Sequence, residues 1–380
     1  MTHRCNPGAA GLAAIAALLL GGATSAQAIE TTIGGQVNRM IRLADNGDKS
    51  DIQHLDNSAD QTRVGIHGHG MMDDTIKAGF DWETGITSNL SEFADIEQVG
   101  NDSNTEFQIR VAQVWAERPE FGRVSLGQGD GAARRAGRAD LSGTEQALNN
   151  DFRRYHSVRF RDSGGFFVGD VSSVFHAYEG LRDDRVRYDS PARAGWSAAA
   201  SWGNDDEAEL ALRFAGLARR MEDAYDSSSS FPAGTRVEGA VGYSRNLGQG
   251  TSLPDIDYQL DTSWSVLLTN GMNGTAAYGR QKLQGGAQDT NHAWYLKLGY
   301  KAGRHAFAVD YGQSTDNADP LSPSNPVDGT HYGLGWQMDL NRYNTAIYAG
   351  VRVFQMERSV TGVPDPDDVR GLHTGIRVTF

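Results

Sequence analysis

The chain has 380 residues and carries 35 basic against 48 acidic side chains, a formal net charge of −13. Such an acidic balance argues against a nucleic-acid partner, which needs a basic footprint. The single cysteine, Cys5, excludes an internal disulfide, and loss of the N-terminal segment that carries it would leave no thiolate for a metal centre.

Residues 1–28 read as a cleaved secretory signal. Arg4 supplies positive charge, Ala9 to Leu20 is an apolar run, and Ala26-Gln27-Ala28 fits the small-x-small cleavage pattern. The run is shorter than the ~20 apolar residues of a membrane-spanning helix, and Cys5 does not sit after it as a lipid-modified cysteine would. Cleavage leaves a single expected domain, 29–380, that begins at Ile29 and has a net charge of −14 once Arg4 is lost. No second long apolar run follows, and mean hydropathy is low. A secreted soluble protein has that profile. So does a transmembrane barrel, in which only alternate residues meet lipid.

Side chains along a strand alternate faces with period 2, and that alternation recurs to the end of the chain. The first segments are 31–44, 61–70 and 75–86, where Ile76, Ala78, Phe80 and Trp82 oppose Lys77, Asp81 and Glu83. In 105–117, Phe107, Ile109 and Val111 share a face and the parity changes near Val114, which predicts a bulge. Segments 121–128, 183–190, 194–203, 207–215 and 235–244 follow. In 255–268, Ile256, Tyr258, Leu260, Trp264, Val266 and Leu268 oppose Asp257, Gln259, Asp261 and Ser265. Segment 274–284 alternates poorly, whereas 292–301, 304–313, 331–339 and 343–357 read as strands. The last, 369–380, ends with Leu372, Thr374, Ile376, Val378 and Phe380 opposite His373, Gly375, Arg377 and Thr379.

These sixteen segments are too many for a single soluble sandwich of seven to nine strands. Their connections alternate in length: 71–74, 119–120, 190–193, 270–273, 302–303 and 340–342 are short, whereas 45–60, 88–104, 129–182, 315–328 and 358–368 are long and polar. Bacterial outer-membrane barrels pair short periplasmic turns with longer outer loops. An open sheet edge is forbidden in lipid, so the expected fold is a closed, sixteen-stranded antiparallel transmembrane β-barrel. The apolar parity carries Trp82, Trp196, Trp202, Trp264, Trp294 and Trp336, as interfacial girdles would. Leu217–Gly234 breaks the pattern as a long segment on the short-turn side, either an insertion or a slip of one hairpin in the count.

Several short motifs, in order, resemble the general-diffusion porins of Gram-negative outer membranes. They are Ile33-Gly34-Gly35-Gln36-Val37-Asn38, Thr62-Arg63-Val64-Gly65-Ile66-His67-Gly68, Lys77-Ala78-Gly79-Phe80-Asp81-Trp82-Glu83, Phe121-Gly122-Arg123-Val124-Ser125-Leu126-Gly127-Gln128 and Arg185-Val186-Arg187-Tyr188-Asp189-Ser190-Pro191. Phe380 matches the terminal aromatic read by the barrel-assembly machinery in that family. The resemblance implies a homotrimer and a third outer loop, here about 129–182, that folds into the pore as a constriction loop. It implies a wall set of Arg63 and Arg110, with Arg182 or Arg185 as a third. On the loop it points to Asp130, Arg134, Arg135, Arg138, Asp140, Glu145 and Asp151. Two departures bear on ion selectivity: Gln36 replaces a basic residue common on the first strand, and the loop lacks a Pro-Glu-Phe-Gly-Gly segment and has arginines of its own.

The expected function is passive diffusion of small hydrophilic solutes and ions, with weak anion preference or near neutrality. The acidic runs Asp45–Asp51, Asp205–Glu207 and Asp365–Asp368 lie in loops, beyond about one Debye length (~8 Å) from the eyelet. Such carboxylate clusters also bind hard cations such as calcium, which would bridge to lipopolysaccharide phosphates, but none has EF-hand spacing. No cofactor is otherwise expected, and the expected surroundings are outer-membrane lipid and lipopolysaccharide. His67 and His69 share a strand face without a third metal ligand nearby. Gly127-Gln128-Gly129-Asp130-Gly131 reads as the flexible start of the constriction loop, not a phosphate cradle, since no helix with nucleotide chemistry follows. No Gly-x-Ser-x-Gly elbow supports a serine esterase; His156 and His176 lie in a loop, where an outer-membrane hydrolase would carry a histidine. The alternatives to a general porin are a substrate-specific porin for sugars or carboxylates, and a secreted soluble adhesin or lectin.

Overall fold

Strands with one apolar and one polar face must hide the first from water, and this chain does so by turning it outward. The computed structural model describes residues 29–97, 106–176, 178–217, 234–247, 256–285, 288–340 and 344–380; the signal segment and most of Leu217–Gly234 lie outside them. In chain order the strands are β1 (Glu30–Asp45), β2 (Ser50–Asp56), β3 (Arg63–Met71), β4 (Lys77–Thr87), β5 (Glu106–Arg118) and β6 (Gly122–Asp130). Then come β7 (Arg159–Arg161), β8 (Phe167–Asp170), β9 (Arg182–Asp189), β10 (Trp196–Gly203), β11 (Ala208–Leu217) and β12 (Arg236–Leu247). The last are β13 (Ile256–Leu267), β14 (Met272–Leu283), β15 (Thr290–Ala302), β16 (His305–Ala318), β17 (Pro326–Leu340), β18 (Thr345–Arg358) and β19 (Val369–Thr379).

All but β7 and β8 belong to one antiparallel sheet. It closes where β1 meets β19, from Gln36 opposite Thr379 to Asp45 opposite Arg370. Both β2 and β3 pair with β1, over Arg39–Asp45 and Glu30–Gln36. They are one stave broken by a 3-10 turn at Ser58–Asp60, so the barrel has sixteen staves among the described residues. Every segment expected to be a strand is one, including the poorly alternating 274–284.

Three details differ from the sequence pattern. First, β2 lies within 45–60, expected to be a loop. Its polar composition leaves Ile52 as its exposed large apolar residue, so pairing with β1, not alternation, makes it a strand. Second, the bulge in β5 is at Arg110, not near Val114: Glu83 faces Val111 while Thr84 faces Ile109. A bulge bends a strand and re-aims a side chain, and here it brings Arg110 to Glu83 on the inner face. Third, Gly127–Asp130 is not a flexible loop start. It continues β6, opposite Arg182–Arg185 of β9.

The outer surface is apolar and exposed; Ile33 is 69% and Leu298 68% accessible, so no packed core covers this face. Trp196 and Trp202 lie on it, exposed. Toward the short-turn end, Trp196 meets Phe214 at 4.9 Å and Trp264 at 6.3 Å between ring centroids, and Tyr300, Phe307 and Trp336 stand side by side in register. Toward the loop end, Tyr243 stacks on Tyr258 and Trp294 meets Tyr311 at 5.4 Å. Two aromatic belts around an aliphatic band suit a bilayer slab. Trp115 instead faces inward under the Arg123 guanidinium, 4.0 Å from its ring.

Loop 3 (131–181) enters the barrel. Only part of its backbone pairs with itself, in short turns and the β7–β8 hairpin, and the remaining buried N–H and C=O groups need partners. Inward wall side chains supply them. Ala132 N donates to Ser201 Oγ, Ala133 N to Glu209 Oε2, Ala139 N to Ser263 Oγ, Leu141 N to Ser265 Oγ and Gln146 N to Gln337 Oε1, at 2.7–3.1 Å. The loop thus crosses the wall from β10 to β17 and meets His373 of β19 at Ala147 O, 3.0 Å away. Its later part folds back into an apolar cluster. Phe152, Tyr155, Val158, Phe160, Val168, Val171, Val174 and Phe175 pack on Ala44, Val327, Phe354, Met356 and Val369 of the wall and Ile96 of the preceding loop. Each large apolar side chain so buried contributes about 1.5–3 kcal/mol. The cluster occupies the lumen beside β1 and β17–β19, so the remaining space lies toward β3–β12.

Candidate functional site: the charged lumen

Among the described residues two sizeable cavities lie inside the wall. The larger, about 990 Å³, is lined by Arg63, Arg135, Arg138, Arg213 and Arg377 and by Asp60, Asp140, Glu145 and Glu238. The second, about 560 Å³, lies against β5, β6 and β9 and is lined by Arg118, Arg123, Arg185 and Arg187 with Glu117, Asp130 and Asp189. Cations exceed carboxylates by one in each, although the whole chain is strongly acidic. The excess acid is elsewhere, on loops.

Of the anticipated wall arginines, Arg63 and Arg110 converge on Glu83, at 3.2 and 2.5 Å. Arg63 lines the larger cavity. Arg182 does not bind Glu83; it pairs with Asp130 at 2.7 Å, its register partner across from β9, while its charge still acts on Arg110. Arg185 points away from both, donating to Gln113 Oε1, Gly127 O and Asp130 O at 2.6–3.0 Å, and edges the second cavity. Among the loop residues, Arg135, Arg138, Asp140 and Glu145 border the larger cavity. Asp130 closes β6 and belongs to the second cavity. Arg134 turns back to Glu179 at 3.0 Å and to Gly180 O. Phe380 seals the seam, exchanging backbone hydrogen bonds with Gly35 at 3.0 and 3.1 Å.

Arg135 is the exposed cation of the loop. Its φ of 64° is in the left-handed region, which a non-glycine residue holds at a cost of order 1–3 kcal/mol. Neighbouring anchors impose it: Ala133 N is bound by Glu209, while Ala136 O accepts from Ser263 Oγ at 2.6 Å. Arg138 is held from behind by Asp151 and Glu179 at 2.7 and 2.8 Å. Asp140 is tied to Lys297 of β15. Glu145 stays exposed, while its carbonyl accepts from Arg154 Nη2.

The loop's charges are tuned from within. Burial raises the Asp151 carboxyl, but the Arg138 and Arg153 guanidiniums overcome it and hold the group well below the usual range. Burial pushes the neighbouring His156 imidazole down to about 4, partly offset by Asp151, so it is neutral near pH 7. His176 is likewise lowered by burial. Neither histidine reaches the open lumen.

Sequence reasoning missed Asp60, Glu83, Glu179, Arg213, Glu238, Lys297 and Arg377 as members of this charge system. Arg213, Glu238, Lys297 and Arg377 sit on the inward parity of their strands, so alternation alone pointed to them. Asp60 sits in the broken stave and Glu179 in the loop, where no periodicity signals direction. His67 and His69 face inward, toward Asp81 at 2.9 Å and Glu30 at 3.7 Å. Among the described residues no group of three or more His, Cys, Asp or Glu side chains is arranged to hold a metal ion.

A closed antiparallel barrel, greasy outside and charged inside, defines a membrane channel. The chain belongs to the Gram-negative porin family, whose model matches residues 11–358. It is an outer-membrane porin, a channel for passive diffusion of small hydrophilic solutes. Similar solved structures include an anion-selective porin from Comamonas acidovorans, with 16% identity, a TM-score of 0.60, and coverage of 93% of this chain and 100% of that one. Another is OmpT of Vibrio cholerae, at 15% identity and TM-score 0.55, covering 94% of this chain and 100% of that one. A third is Salmonella typhi OmpF in complex with daunomycin, at 12% and 0.55, covering 92% and 97%. No curated protein sequence matches the chain.

Proposed function

We propose that the channel narrows where loop 3 faces the β3 and β19 wall. Arg63 and Arg110 serve as wall cations there, with Arg135, Arg138, Asp140 and Glu145 on the loop, and the pore is a general one with weak anion preference. The observation that carries this reading is the near-balanced lining of the larger cavity, five arginines against four carboxylates. Rings of charged side chains set ion preference, and a one-charge surplus in wet surroundings biases it only mildly. Asp130, Arg134, Arg182 and Arg185 act behind this ring, fixing the start and end of the loop.

The working unit is a homotrimer of mature chains of one domain, 29–380. Each is exported by the 1–28 signal, presents Phe380 to the barrel-assembly machinery and is surrounded by outer-membrane lipid and lipopolysaccharide. The chain has no enzymatic role. Planar-bilayer recording of the refolded protein tests the channel reading. The expected result is ohmic conductance that does not saturate with sugars or carboxylates, and a small reversal potential of anion-selective sign in a salt gradient. Saturable, blockable current would replace it with a substrate-specific porin, and strong cation selectivity would refute the charge assignment.

A further inference from the structure

Asp60 joins two arginines of the wall to a side chain of loop 3. Its Oδ1 accepts from Arg63 Nη1 at 2.7 Å. Its Oδ2 accepts from Gln146 Nε2 of loop 3 at 2.8 Å and from Arg377 Nη1 of β19 at 2.9 Å. A carboxylate offers about four acceptor positions, so Asp60 is nearly saturated. Its backbone is held as firmly. The Asp60 carbonyl accepts from Gln36 Nε2 and Asn38 Nδ2, both at 2.8 Å, and Asn57 caps the turn by accepting from Ala59 N. Asn38 Nδ2 also donates to Gln146 Oε1 at 2.9 Å, clamping the loop side chain from both ends.

The broken stave explains why the group is there. A continuous strand would turn Asp60 by alternation. The 3-10 turn instead lowers a wall carboxylate into the larger cavity, between two arginines that line it. Arg63 has a second carboxylate in Glu83. Arg377 pairs with Asp60 alone among the described residues.

Resting on the porin reading, we propose that Asp60 is the specificity-determining counter-charge of the pore: it neutralises Arg377 from the wall, and its hold on loop 3 through Gln146 is a separate, structural role. Selectivity is then set by a residue of the wall as well as by the loop.

Reversal potentials in a salt gradient, measured on single channels, test this. Asp60→Asn keeps the shape, frees Arg377 and raises the anion-to-cation permeability ratio on the order of threefold, as a unit charge beside a wet path does. Arg377→Gln lowers the ratio by a similar factor, and the Asp60→Asn/Arg377→Gln double variant returns close to the parent. Gln146→Leu, which unpins the loop without altering charge, increases current noise and leaves the ratio unchanged. That last result separates counter-charge from a merely structural role. The proposal is overturned if Asp60→Asn leaves the ratio unmoved in a channel that conducts, or if the double variant does not restore it. Should the parent form no channel, the porin reading itself falls. Arg377→Gln keeps the test open if Asp60→Asn does not assemble.

Discussion

Arg135 shows what a single side chain contributes when nearby anchors fix its backbone. It is exposed in the larger cavity at φ 64°, so its charge is offered to passing ions. Arg135→Gln is expected to shift selectivity toward cations, on the order of twofold in permeability ratio, with stability changed by less than about 0.5 kcal/mol; reversal potentials and thermal melts check both. His156 is the opposite case, a half-buried group with its Nε2 shut in and no place in the lining of either cavity. With its pKa lowered from 6.5 to about 4, the unfolded loop takes up a proton before the folded one does. Stability from this site is therefore complete above pH about 6.5 and is lost as pH falls toward 4, at most about 3 kcal/mol. Asp151, held low by its arginines, adds a second loss only at more acidic pH. Protection factors of the amides in residues 151–176, corrected for the intrinsic pH dependence of exchange, should fall between pH 7 and 4, and His156→Gln should flatten that dependence.

At the scale of elements, loop 3 is fastened by wall side chains and admitted by wall glycines. A Cβ on Gly242 of β12 would lie 2.8 Å from Ala136 Cβ and 3.0 Å from Ala133 Cβ, both short side chains on the loop's first limb. On β17, a Cβ at Gly335 would meet Leu148 at 2.6 Å. Leu148 has rotamers to yield with; the alanines have none. Gly242→Val is thus expected to push the first limb into the larger cavity and lower single-channel conductance, at a cost of about 1–3 kcal/mol from overpacking. Unchanged conductance would show that the limb has room to move. Most of this element was hidden in the sequence. The resemblance placed a loop in the pore, but the strand pattern is silent on which residues pair with the wall. The apolar Phe152–Phe175 stretch has no strand or helix period because it is a folded-back core of short 3-10 turns and the β7–β8 hairpin.

For the whole molecule, closure decides behaviour. With β1 paired to β19 the barrel sheet has no free edge among the described residues, and its outward apolar residues require surroundings other than water. The protein should partition fully with membranes and require detergent for extraction, and liposomes containing it should swell in small sugars but not in large polymers. Recovery as a monodisperse species in plain buffer would contradict the fold. Net charge misleads at this scale. The acidic whole coexists with a slightly basic lumen because most of the surplus carboxylates line neither cavity.

Alternation is a property of neighbours in the chain, so the sixteen staves, their faces and the closed barrel were determined by sequence alone, along with the placing of Arg377 on the polar face of its strand. Partner choice is a property of distant residues. Arg377 finds Asp60 across 317 positions and Arg352 finds Asp310 across 42, while Arg182, grouped by motif with Arg63, was captured by its strand neighbour Asp130. Only the closed tertiary structure, which brings the first, third and last parts of the chain around one cavity, decided which charges face the solute and which hold the loop.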